Sequence, residues 1–137
     1  MGGRVRETAW QVCSVRHHRR LILWQAMKQP EVMRPADAAN WQSDRMGKST
    51  LFESPRMLVG LNAFEPGQAH ALHAHQGMDK MYYVIEGTGL FLLEGRQLKM
   101  SAGDVLVAAE GVPHGVRNDG PGRLLVMAVL APFHGKG

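Results

Sequence analysis

A single cysteine, Cys13, leaves the chain without a partner for an internal disulfide, so packing and hydrogen bonding must hold the fold, as in a reducing compartment. Long apolar runs are also missing. The longest, Leu124 to Ala131, has eight residues and falls far short of the roughly 20 needed for a membrane helix. Near the start, Leu21-Ile22-Leu23-Trp24 is too short for the apolar region of a secretory signal. Acidic residues are scarce only at one end. Residues 1–28 hold six basic side chains against Glu7 alone, a net of +5, whereas the rest of the chain sums to −1. The overall charge of +4 is therefore no sign of a nucleic-acid surface on the main body. These absences predict a soluble, cytoplasmic protein that binds neither membrane nor nucleic acid.

What the chain does contain is enough for one packed domain: 137 residues, 45% hydrophobic and 20% charged. Residues 1–28 read as a basic leader, non-native or disordered, with a packed amphipathic helix as the alternative. Met27 and Met33 are both candidate starts. Residues 29–56, rich in Pro, Asp, Asn and Ser, read as an N-terminal arm with a short strand near 49–53. From residue 57 the texture turns strongly β. Strands are expected over 57–64, 71–75, 81–86, 90–93, 97–100, 105–109, 114–117 and 123–131, separated by glycine-bearing turns. Many short strands with no helical pattern between them predict an all-β sandwich or closed barrel over 57–132, with residues 133–137 as a tail.

The chemistry concentrates in histidine. His73-Ala74-His75 places two imidazoles on alternate residues, which share one face of a strand. His114 follows 39 residues after His75, behind Pro113, whose fixed φ suits the first residue of a strand. Three imidazoles converging in this way are a common means of holding a transition metal. His70 stands three residues before His73, the wrong parity for the same face unless a bulge intervenes. It is read, with His17, His18 and His134, as a surface or packing residue.

Around these histidines the spacing sharpens. Gly67 precedes His73 by five intervening residues and Gly87 follows the next strand; later come Gly103, Gly111, His114 and Asn118. In this arrangement the chain resembles the cupin superfamily over about residues 57–132. The first motif of that family reads Gly, five residues, His-x-His, three or four residues, Glu, six residues, Gly. Its second reads Gly, five residues, Pro-x-Gly, two residues, His, three residues, Asn. Two positions depart: Lys80 occupies the glutamate slot and Ala109 the proline slot.

The resemblance implies a double-stranded β-helix, or jelly-roll barrel, with an N-terminal arm. It also implies Lys80 and Tyr82 in the lumen beside the histidines, and one divalent ion per chain: iron, zinc, manganese or nickel. An ammonium beside a divalent cation is repelled, so Lys80 must lose its proton, swing away or accompany an empty site. Asp79 and Gln76 are candidate replacement ligands, with an outward-facing Asp79 that caps the turn as the alternative. Tyr82 and Lys80 are candidate proton donors or anchors for a substrate carboxylate. The expected function is that of a metal-dependent enzyme acting on a small organic molecule, with oxygenase- or cyclase-like chemistry. A non-catalytic binding or sensing barrel is the alternative. Exposed strand edges predict a homodimer.

Overall fold

A computed structural model describes residues 29–132. The expected leader and tail, with His17, His18 and His134, lie outside the described residues. A 3₁₀ turn at Pro35–Ala38 is followed by nine strands: β1 Gly47–Glu53, β2 Leu58–Phe64, β3 Ala69–His73, β4 Asp79–Glu86, β5 Thr88–Leu93, β6 Arg96–Ser101, β7 Val105–Ala108, β8 His114–Arg117 and β9 Leu124–Ala131. They form two antiparallel sheets, a five-stranded one ordered β1-β2-β9-β4-β7 and a four-stranded one ordered β3-β8-β5-β6. This is the expected jelly-roll architecture. Among the described residues no helix is long and apolar enough to cross a membrane.

The inner faces of the two sheets close on Phe64, Tyr82, Val84, Phe91, Val116, Leu124 and Val126, all buried. The opposite face of the larger sheet is covered as well. There Leu61, Ala63 and Leu125 pack with Ala39, Trp41, Leu51, Ile85 and Met127. Two covered faces explain why Leu124-Leu125-Val126 is an unbroken apolar run, all of it buried. Arg123 helps hold Trp41 there. Its guanidinium lies 4.6 Å from the Trp41 ring centroid and pairs with the Glu65 carboxylate at 2.9 Å.

The strand expected near 49–53 begins at Gly47 and pairs along β2 as an edge strand of the larger sheet. Cross-strand partners then define which side chains look inward. Lys48 faces Asn62, Thr50 faces Gly60, and Lys80 lies opposite both Leu130 and Ala108. Asn118 pins the end of the barrel. Fully buried, its amide donates to the carbonyls of Phe64 (3.0 Å) and Gly122 (2.8 Å) and accepts the Gly120 N–H at 3.1 Å. Its own backbone carbonyl accepts the Gly67 N–H at 2.9 Å, so the first residue of one motif is tied to the last of the other.

Candidate metal centre

The histidines gather because β3 is bulged. Along its pairing with β8, His70 lies opposite Val116 and His73 opposite His114: three residues on one strand span two on the other. The extra residue restores parity and keeps both rings on the inner face. Gly115 makes room for it, since a Cβ there would lie 2.6 Å from the His70 carbonyl oxygen. The strand ends at His73, two residues earlier than expected, so His75 stands in the following loop. That loop is held across the barrel mouth. Gly111 donates its N–H to the His75 carbonyl at 2.9 Å, and Gly77 donates to the Glu110 carboxylate at 2.8 Å.

One ring nitrogen each from His73, His75 and His114 lies within 4.8 Å of the other two. The Nδ1–H of His73 donates to the Ala71 carbonyl, and that of His114 to the Val112 carbonyl, each at 2.8 Å. A carbonyl only accepts, so these bonds fix the tautomer and leave Nε2 of both rings unprotonated, as an acceptor. Nε2 of His75 and of His114 are buried and have no protein partner. Buried ring nitrogens without partners are costly unless something fills the gap between them. The donor set fits a borderline transition ion such as zinc or iron(II), with His73, His75 and His114 as its protein ligands. Metal–nitrogen bonds of about 2.0–2.1 Å require the rings to close in slightly from their present spacing.

Lys80 is the opposing feature. It reaches from β4 in the other sheet, is only 5% exposed, and its ammonium makes a long 3.4 Å hydrogen bond to His73 Nε2. The same ammonium lies 4.7 Å from the centroid of the Tyr82 ring. Burial, reinforced by Lys48, lowers the Lys80 pKa to about 8. Burial, with smaller repulsions from neighbouring cations and rings, takes His75 to about 4 and His70 to about 3. His73 and His114 are also lowered, chiefly by burial, against the raising effect of their carbonyl bonds. All four rings are thus neutral near pH 7, the form in which imidazole binds metal. Lys80 has a flexible stem and a space to move into. A cavity of about 600 Å³ adjoins the histidines, bounded by Met78, Lys80, Leu58 and Gly60.

Asp79, a candidate ligand, uses its carboxylate elsewhere: Oδ1 accepts the Glu110 N–H at 2.8 Å, and the residue is exposed. Gln76 is exposed in the His75 loop. Neither borders the cavity. Tyr82 is fully buried, with its hydroxyl unpartnered and its ionisation pushed up by burial. Its ring sits 5.7 Å from that of His114. His70, read as a bland residue, instead borders the cavity. Its ring lies 4.2 Å from the His73 ring, and its buried Nδ1 has no partner. Strict alternation pointed it away; only the bulge, signalled faintly by Gly115, brings it in.

A jelly-roll barrel with inward imidazoles at its open end defines a class of small β-barrel proteins, and comparison with known proteins names it. The cupin domain model matches residues 60–130, and the chain belongs to the cupin family. An oxalate-binding protein of Thermotoga maritima is 29% identical over 85 residues, 62% of this chain and 69% of its own length. The crystal structure of TT1209 from Thermus thermophilus is 36% identical, with a TM-score of 0.72 over 76% of this chain and 99% of that one. A conserved double-stranded β-helix protein from Klebsiella pneumoniae shares the fold at 24% identity, with a TM-score of 0.74 over 80% and 95% of the two chains.

Proposed function

We propose that this cupin holds one divalent transition metal ion on His73, His75 and His114 and acts on a small organic acid bound in the adjoining cavity. The observation that carries this reading is the convergence of three ring nitrogens, two of them with tautomers fixed by backbone carbonyls. When bound, such an ion supplies Lewis-acid polarisation of a carbonyl or carboxylate oxygen, or an acidified water. The protein side chains supply the rest. Lys80, released from His73, offers an ammonium beside the centre that can neutralise a carboxylate or deliver a proton. Tyr82 keeps its proton through burial and stands beside the His114 ring, outside the cavity lining. Asp79 and Glu110 keep the His75 loop in place across the mouth.

A binding module is the second reading, and one observation favours it: a lysine replaces the acidic ligand and contacts His73 directly. The ligand class agrees with the oxalate named for the Thermotoga maritima relative. Elemental analysis of purified protein tests the metal; turnover of small keto acids or diacids separates enzyme from binder. His75→Ala is expected to remove the metal and leave the β circular dichroism unchanged. Stoichiometric metal retained in that variant would refute the assigned site.

A further inference from the structure

The cavity is larger than the metal centre needs. At about 600 Å³ it falls within the roughly 300–1,000 Å³ typical of pockets for drug-sized molecules, far more than a two-carbon diacid fills. Its size follows from the middle of the larger sheet, where Gly60 and Ala128 pair and neither carries bulk inward. Beyond this gap stands a second group of polar side chains. Asn62 is 6% exposed, borders the cavity, and makes no side-chain hydrogen bond among the described residues. Lys48 is its cross-strand neighbour on β1, held in place by the Asn40 amide, which donates to the Lys48 carbonyl at 3.1 Å. His70, with its buried unpartnered Nδ1, borders the same cavity from the other sheet.

The cavity is also unbalanced in charge. Lys48 and Lys80 border it against one carboxylate, Glu53. Among the described residues neither lysine forms an ion pair; the pairs are Arg45 with Asp44 and Arg123 with Glu65. Two unpaired ammonium groups and a buried amide facing one cavity call for an anion with more than one acidic group. Glu53 lies opposite Leu58 and Lys80 opposite Leu130, the partner of Leu58, so the carboxylate belongs to the Lys80 end. Asn62 is four residues further along β2, roughly 13 Å at about 3.3 Å per residue, less the reach of the lysine stem.

We infer that Lys48 and Asn62 form a distal carboxylate subsite, so that the ligand is a diacid of four to six carbons with one end at the histidine centre and the other on Lys48. The assignment of the near end rests on the metal reading above; the distal subsite does not. Lys48 supplies charge and Asn62 a directional N–H, while His70, packed on His73, lines the cavity wall on the histidine side. The ammonium remains solvated at the rim, which keeps its contribution to about one charge-assisted hydrogen bond.

The test is calorimetric titration of the full chain, loaded with zinc, against oxalate, succinate, glutarate, adipate and the monoacid valerate. Zinc content is measured on each sample. Glutarate or adipate is expected to bind about tenfold tighter than oxalate and valerate, the scale of one such contact. Lys48→Ala is expected to erase that dependence on chain length, and Lys48→Arg to restore it within about threefold. Lys48 is exposed, so these variants should keep the parent melting temperature. Affinity independent of chain length, or unchanged in Lys48→Ala, would overturn the subsite. Protein that takes up no zinc yet binds adipate through Lys48 would support the subsite and count against the metal centre alone.

Discussion

Lys80 places an ammonium 3.4 Å from a nitrogen that a metal ion would use. At an effective dielectric of about 20, charges some 4 Å apart interact by roughly 4 kcal/mol per unit pair, so this repulsion outweighs most other terms at the centre. Lys80→Met is expected to tighten zinc binding at least tenfold in a chelator competition assay. Lys80→Glu, which restores the residue of the family motif, should tighten it further. Unchanged affinity in both would show that the lysine already lies clear of the ion.

The rings and the lysine also give the metal-stripped protein a defined pH response. His75 sits near 4 in the fold against 6.5 when free, and His70 near 3, both chiefly through burial. As pH falls below 6.5 the unfolded chain takes up these protons first. The stability the neutral rings contribute is complete above 6.5 and declines as pH drops towards 4. Lys80 acts in a higher window. Folded at about 8 and free at 10.5, it leaves the unfolded chain holding the extra proton between those values, so stability rises with pH there. Melting curves of the metal-stripped protein from about pH 4 to 10 should show both slopes, and Lys80→Met should lose the upper one.

Among the elements, the bulge in β3 decides the most. Period-two reasoning put His73 and His75 on one strand, but β3 ends at His73 and His75 reaches the centre from the loop; it also placed His70 on the other face, because alternation holds only where pairing is one to one. The irregularity lies between strands far apart in the chain and is encoded mainly by Gly115, whose missing side chain admits the His70–Leu72 backbone. Gly115→Ala adds one methyl to that contact, an overpacking that costs about 1–3 kcal/mol. It is expected to lower the melting temperature by several degrees and weaken metal binding at least tenfold. A stable variant with full metal affinity would show that the bulge tolerates the methyl and does not position His73. By contrast, the ends of the motifs were legible: Asn118, the last position of the second motif, ties the end of β2 to the loop that leads into β9.

For the molecule as a whole, β7 is an edge of the larger sheet and presents Val105 and Val107, 54% and 61% exposed. Exposed β-branched residues on an edge with no further strand among the described residues suit a second copy of the chain. Light scattering is expected to give roughly 30 kDa, two chains of 15.1 kDa, and Val107→Lys should shift it to the monomer. A monomeric parent would leave β7 as an ordinary exposed edge.

The β class and nearly every strand could be read from alternation and turn chemistry, and the three-histidine set from its resemblance to the family motifs, because all of these are written along the chain. The cavity, the place of Lys80 against His73, and the inward turn of His70 could not. They arise where one sheet faces the other, and the side chains that meet there are set by register and by missing bulk at Gly60, Gly115 and Ala128. Spacing along a strand carries no record of what stands across the barrel from it.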